Sequence, residues 1–310
     1  MVDGTIVVIG TGGTIAGAAD AALDNVGYRA GQLGVDRLVA AVPGLRGLPL
    51  ECEQVAQVDS KDMDVPLWVD LARACRRHLS LPQVAGLVIT HGTDTLEETA
   101  WFLDRVLAPR LPVVLTCAMR PATALAPDGP QNLLDAVCAA RDPRLSGVVA
   151  VCAGEVHAAA DVTKVHPYRV DAFASGETGP MAVIEEQRLR WLREPPGPGG
   201  RQAAAADVDA AAWPWVEIVT SHAAADRRAV DALVAQGVRG LVVACTGNGS
   251  IHHALEAGLR DAKSRGVVVV RTTRCPLGRI VPRAGADFPE SGLSPVKARI
   301  SLALSLLGQP

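Results

Sequence analysis

Hydrophobic positions along the chain gather into short runs rich in β-branched residues, at 5–9, 86–90, 112–116, 147–151, 215–220, 240–246 and 266–272. Between most of them lie stretches with helical spacing, at 68–78, 95–107, 132–141, 229–235 and 250–264. Near-continuous apolar strands alternating with helices predict a mainly parallel sheet covered on both faces, so the expected fold class is α/β. The pattern lapses at 193–212, where Glu-Pro-Pro-Gly-Pro-Gly-Gly precedes an Ala/Asp-rich stretch. Such a composition suits an extended connector. The expected organisation is therefore a larger amino-terminal α/β domain (1–192) with the catalytic residues, a linker (193–212) and a smaller carboxyl-terminal α/β domain (213–310).

Composition narrows the partners. Of 310 residues, 49% are hydrophobic and 20% charged, which excludes a disordered regulator. Aromatics reach only 3%, so the core must be built from Ala, Val, Leu and Ile. Thirty basic against 33 acidic residues leave no basic excess, which argues against nucleic acid and anionic membrane surfaces as partners. No apolar run approaches the ~18 residues of a spanning helix, and the opening Met-Val-Asp-Gly-Thr runs into a strand rather than a signal peptide. A cytoplasmic location is expected. Seven cysteines without a C-x-x-C pair suit neither a disulfide framework nor a zinc site. His252 and His253 are adjacent and have no third ligand at helical spacing, so neither metal nor cofactor is expected.

Three clusters could carry chemistry. The first strand ends in Gly-Thr-Gly-Gly-Thr-Ile-Ala-Gly at 10–17, and carboxyl ends of parallel strands are where ligands bind. A dinucleotide fingerprint fails because Ile15 stands at its third glycine, and a P-loop fails for want of Gly-Lys-Ser/Thr. What remains is either a set of open backbone N–H groups with the hydroxyls of Thr11 and Thr14, or a tight turn with capping threonines. The second cluster is His-Gly-Thr-Asp-Thr-Leu-Glu-Glu at 91–98. Asp94 and Glu97 have capping-box spacing for the following helix, which leaves the hydroxyl of Thr93 unexplained. The third is Asp-Val-Thr-Lys at 161–164. Taken alone Lys164 is a surface lysine, but held near Asp94 and away from water it could take a proton from a threonine hydroxyl.

Read in order, Thr-Gly-Gly-Thr-Ile-Ala-Gly (11–17), His-Gly-Thr-Asp-Thr-Leu-Glu-Glu-Thr-Ala (91–100), Ala-Met-Arg-Pro (118–121), Asp-Gly-Pro-Gln-Asn-Leu (128–133), Asp-Val-Thr-Lys (161–164) and Gly-Asn-Gly (247–249) resemble the bacterial-type L-asparaginases. The resemblance implies hydrolysis of the side-chain amide of L-asparagine to L-aspartate and ammonia by a homotetramer of close dimers, with each active site at a subunit seam. Carried over by position, Thr14 matches the nucleophile, and Thr93, Asp94 and Lys164 match a second, hydroxyl-acid-amine triad. Tyr28 matches the tyrosine of a lid loop (15–29) that assists Thr14. Ser60 matches the residue that binds the substrate α-carboxylate, and Asn248 one supplied near the subunit seam. Backbone and hydroxyl donors around Thr11 to Thr14, and Thr93, are expected to hold the oxyanion.

Departures from that pattern bear on substrate. Lys61 replaces the family's usual Gln beside the α-ammonium. Two cations about 4 Å apart repel by about 4 kcal/mol at an effective dielectric of about 20, so Lys61 must turn outwards or the amine must be held differently. Near the carboxyl terminus Asp287 and Glu290 are the candidates for a second ammonium partner. Ala159-Ala160 precede the Asp-Val-Thr-Lys motif in place of the family's Gly-Arg. Together these predict a raised KM. The alternatives are a relative acting on glutamine or another amide, a nucleotide-binding protein using the turn at 10–17, and a catalytically silent amino-acid-binding homologue.

Overall fold

A computed structural model describes residues 4–194 and 208–307. Most of the connector expected at 193–212 lies outside the described residues. The chain divides into two compact units, Met1–Ala203 and Ala204–Pro310.

The first unit contains β1 (Thr5–Gly12), α1 (Val35–Ala40), β2 (Leu50–Val58), α2 (Val65–Leu79), β3 (Val84–Thr90), α3 (Leu96–Leu107), β4 (Pro112–Thr116), α4 (Gly129–Ala140) and β5 (Gly147–Cys152). Short strands follow: β6 (Glu155–Ala158), β7 (Thr163–Lys164), β8 (Phe173–Ala174), β9 (Ala182–Glu185) and β10 (Arg188–Trp191). Eight of these form one sheet in the order β10-β9-β6-β5-β4-β3-β1-β2, and β7 pairs with β8 separately. The five strands from β5 to β2 run parallel. The other end of the sheet is antiparallel.

Every residue of β3, β4 and β5 is buried, the condition under which a strand reads as a continuous apolar run. On one face Ile6, Val8, Val88 and Val114 join a core with Leu133, Ala136 and Val137 of α4. Helix α2 starts where Asp64 accepts from the Leu67 N–H at 2.9 Å, with Pro66 in the first turn. The structure adds strands the periodicity does not announce. β2, at the sheet edge, alternates irregularly and carries Glu51, Glu53, Gln54 and Gln57.

The second unit is a parallel three-stranded sheet of β11 (Val216–Thr220), β12 (Gly240–Cys245) and β13 (Val268–Thr273), with α5 (Arg228–Ala235), α6 (His253–Ser264) and α7 (Pro295–Leu306). Helix α6 begins three residues later than its periodicity suggests. His252 is its N-cap, accepting from the Ala254 N–H, and stacks on His253 at 4.4 Å instead of diverging from it along a helix.

In the large sheet β1 lies between β2 and β3. The chain leaves β1 for β2 on one side and returns across it to β3 on the other. Loops leaving the carboxyl ends of β1 and β3 therefore part in opposite directions and open a crevice, the usual ligand position in such sheets.

Candidate active site

The loops after β1, β2 and β3 meet at that crevice because Gly13 and Gly92 carry no side chain. Gly13 has φ 79°, and a Cβ there would lie 2.3 Å from the Gly92 Cα. A Cβ on Gly92 would lie 2.5 Å from Ser60 Oγ. Only glycine permits this approach of backbones. Ser60 opens a 3-10 turn, Ser60–Asp62, directly after β2. It is buried, and its Oγ accepts from the Asp94 N–H at 3.1 Å while its carbonyl accepts from Thr95 Oγ1 at 2.7 Å.

Thr14 starts the 3-10 turn Thr14–Ala16 after β1 and is buried. Its Oγ1 lies 2.5 Å from Tyr28 Oη, and either oxygen can be the donor. Partial burial pushes the Tyr28 phenol above its usual pKa. The charges of Asp59 and Asp94 push the same way, and the bond to Thr14 and the charge of Lys61 oppose them. Tyr28 is carried by the loop expected as a lid. That loop closes on itself through paired backbone bonds between Ala18 and Arg29, and it is tied to the 121–125 segment by Ala122 N–H to Gly17 O and Leu125 N–H to Ala22 O, both 2.9 Å. Leu23, near its tip, is 80% exposed.

Thr93 is buried at the end of β3, and Lys164 reaches it from β7. Lys164 Nζ donates to Thr93 Oγ1 at 2.8 Å and to Asp94 Oδ1 at 2.6 Å, and its side chain is only 16% exposed. The surface reading of this lysine is thereby set aside. The capping box does not form. The N-cap of α3 is Thr95, no side chain caps the helix, and Glu97 accepts instead from the Lys164 backbone N–H at 3.3 Å. A carboxylate facing an ammonium makes a charge-assisted bond stronger than a bond to a neutral N–H, so Asp94 goes to Lys164.

Thr11 is buried and donates to the Thr90 carbonyl at 2.9 Å, which commits its hydrogen to the seam between β1 and β3. Lys61 points to solvent at the rim, with Nζ 2.9 Å from both Asp59 and Asp62. Those two carboxylates, Asp62 first, raise its pKa and hold it charged. Asn248 belongs to the second unit, in a loop closed by paired backbone bonds between Thr246 and Ser250. Its amide brackets Val281, accepting from the N–H at 2.7 Å and donating to the carbonyl at 3.4 Å. Of the two candidate carboxyl-terminal acids, Asp287 pairs with Arg260 at 2.7 Å and Glu290 with Arg271 at 3.2 Å.

Two residues beside the site carry no role in the sequence reading. The Asp128 carboxylate accepts from the N–H groups of Met119 and Arg120, both at 2.9 Å, and fixes the loop after β4. An acid just before the Gly-Pro that opens α4 is the trace it leaves in the sequence. His91 is fully buried between β3 and the Thr93 loop, with Nδ1 2.7 Å from the Gly92 carbonyl and Nε2 3.0 Å from Thr99 Oγ1. Burial lowers its pKa to about 4. One partner is the adjacent residue and the other lies eight residues on, across the turn into α3, a spacing that marks no contact in the sequence. Among the described residues no three His, Cys, Asp or Glu side chains gather as a metal ion would require.

A nucleophile-type hydroxyl paired with a phenol, next to a hydroxyl paired with an ammonium and a carboxylate, is equipment for attacking an amide. Comparison with known proteins points the same way. The family model for the asparaginase amino-terminal domain matches residues 5–197, and that for the glutaminase/asparaginase carboxyl-terminal domain matches 215–309. The chain is 38% identical to a protein of Haemophilus influenzae named "Probable L-asparaginase periplasmic", over 97% of this chain and 88% of that one. It is 34% identical to the glutaminase-asparaginase of Pseudomonas fluorescens, over 97% and 86% of the two chains. The crystal structure titled as a probable cytoplasmic L-asparaginase from Campylobacter jejuni superposes with a TM-score of 0.91 at 34% identity, covering 99% of this chain and 96% of that one.

The chain belongs to the asparaginase family. That membership bears out the expectations of an amidohydrolase and of a larger amino-terminal and a smaller carboxyl-terminal domain on mainly parallel sheets. Among the described residues no helix is long and apolar enough to cross a membrane.

Proposed function

We propose that this enzyme hydrolyses the side-chain amide of L-asparagine to L-aspartate and ammonia through an acyl-enzyme on Thr14. The supporting observation is the pair of hydroxyls at neighbouring strand ends, Thr14 bonded to Tyr28 at 2.5 Å and Thr93 bonded to Lys164 at 2.8 Å. Thr14 Oγ attacks the amide carbon as its proton passes towards Tyr28, which relays its own. The carbonyl oxygen becomes an oxyanion, and collapse expels the nitrogen as ammonia once it has gained a proton. Thr93 accepts from Lys164, so its own hydrogen is available to the oxyanion or to the water that hydrolyses the ester. Ser60 binds the substrate carboxylate and Asn248 contributes to substrate binding. Thr11 supports the turn rather than the oxyanion, because its hydrogen is committed to Thr90.

The outward pairing of Lys61 with Asp59 and Asp62 supports a pocket free of an unscreened cation, with a KM raised by loss of the glutamine anchor. A second reading, glutamine hydrolysis, is favoured by the relative named glutaminase-asparaginase. The boundary within 193–212, a homotetramer built from dimers and a cytoplasmic location complete the proposal. The relatives' names divide on compartment, periplasmic for one and cytoplasmic for another. Ammonia release from L-Asn, D-Asn and L-Gln across substrate concentration tests the reaction, with light scattering for the oligomer. Release from L-Asn that depends on Thr14 supports it. Binding of aspartate with no ammonia from any amide would leave the silent binding protein.

A further inference from the structure

We propose that His91 is a positioning residue for this hydrolysis, acting as a neutral imidazole that holds the Gly92 carbonyl and thereby sets the Thr93 loop against the Thr14 loop. The proposal rests on the assignment of Thr14 and Thr93 above.

A carbonyl oxygen only accepts, so the 2.7 Å contact with Gly92 O requires a proton on Nδ1. In the neutral ring Nε2 must then accept. Thr99 Oγ1, 3.0 Å away, can supply that hydrogen because it accepts from the Trp68 indole N–H at 2.9 Å. The chain of bonds runs Trp68 to Thr99 to His91 to Gly92, and a single tautomer satisfies all of it. Trp68 lies on α2 and Thr99 on α3, so both helices steer the ring. The ring is fully buried and stays neutral down to a pKa of about 4. The backbone N–H of His91 donates to Thr116 O at 2.8 Å, which anchors the residue to β4.

What the ring steers is the tightest contact in the site. Gly92 has no room beside Gly13 or Ser60, and the next residue is Thr93. Rotation of the 92–93 peptide would move the Thr93 hydroxyl relative to Thr14 and displace the Asp94 N–H from Ser60 Oγ. Positioning errors of this kind lower turnover rather than substrate binding.

The test compares two amide replacements on the full-length enzyme. His91→Asn can place an N–H near Nδ1 and still reach Gly92 O. His91→Gln reaches towards Nε2 and Thr99 but leaves Gly92 O without that donor. His91→Gln is expected to lower kcat by about 10- to 100-fold with KM changed less than about threefold, the loss of one buried partner. His91→Asn should retain kcat within about fivefold, even if both variants lose thermal stability equally. Thr99→Val, which keeps the ring and removes the hydroxyl feeding Nε2, is the second route if His91→Gln does not fold. It should lower kcat about fivefold at constant KM.

Equal kcat for the two amide variants, or losses that track melting temperature alone, would overturn the proposal and leave His91 a packing residue. Unchanged kcat in Thr99→Val would do the same where His91→Gln does not fold. Thr14→Ala run alongside separates the failures. If it keeps turnover, the acyl-enzyme reading fails and this proposal with it. If it is inactive while His91→Gln is fully active, only the present proposal fails.

Discussion

Thr14 and Thr93 are the same residue type at the carboxyl ends of neighbouring parallel strands, both buried and both held by one short side-chain bond, yet their surroundings differ in kind. Thr14 meets a half-buried phenol on a loop whose tip is exposed, with Leu23 and Val26 in solvent. Thr93 meets an ammonium fixed by Asp94, on a loop braced from beneath by His91 and from the side by Ser60. A neutral partner lets the proton on Thr14 travel either way, as attack and reversal require. A cationic donor polarises Thr93 in one sense only, which suits a group that stabilises charge or orients water. In the proposed mechanism two identical hydroxyls thus take different tasks from their neighbours alone.

Thr14→Ala tests the comparison most severely. It removes the proposed nucleophile, and turnover should fall by about 10³-fold or more with the fold retained. Ammonia release at near-normal rates would erase the difference between the two sites. Lys164→Met comes next. It leaves Thr93 without its donor and Asp94 without its counter-ion, and should lower kcat by about 10²-fold. A loss confined to KM would reassign Lys164 to substrate binding. Tyr28→Phe removes only the phenolic oxygen, and about 10- to 100-fold lower kcat is expected, with KM nearly constant if the tyrosine relays protons rather than gripping substrate.

Acidification separates the two loops by stability instead of rate. His91 titrates at about 4 when folded and near 6.5 when unfolded, so between these values the unfolded chain binds more protons. The stability tied to its neutral ring is present above the unfolded value and lost as pH falls through the folded one, on the order of 3 kcal/mol. Denaturant melts from pH 7 to pH 4 should show this slope, flattened in His91→Asn. The smallest effect belongs to Lys61→Gln. An exposed lysine between two carboxylates contributes little to stability because solvent screens the pairs, so melting should barely move. KM for L-asparagine should fall a few-fold if the amide restores an anchor for the amine.

Much of the catalytic edge was legible before the fold, and for a physical reason. β1, β3, β4 and β5 are buried on both faces, so their apolar runs stand out, and two of the hydroxyl clusters directly follow β1 and β3. β2 was hidden because an edge strand tolerates Glu51, Glu53 and Gln54, which blur any alternation. The Asp94–Glu97 spacing reads as a helix cap in one dimension. Lys164, 70 residues later, claims both acids in three. His91 shows the limit most clearly, since its role depends on Trp68 bonding Thr99 and Thr99 in turn bonding the ring, and nothing local in the sequence marks that relay.

The contact between Gly13 and Gly92 acts as a ruler whose length is set by missing atoms. Efforts to broaden the amide range by prying the two hydroxyl loops apart would meet this stop at once, because any added carbon displaces both reacting groups together. The adjustable dimension is the Tyr28 side, where the loop ends in solvent, and variants selected for longer amides should collect their changes there while positions 13 and 92 stay glycine.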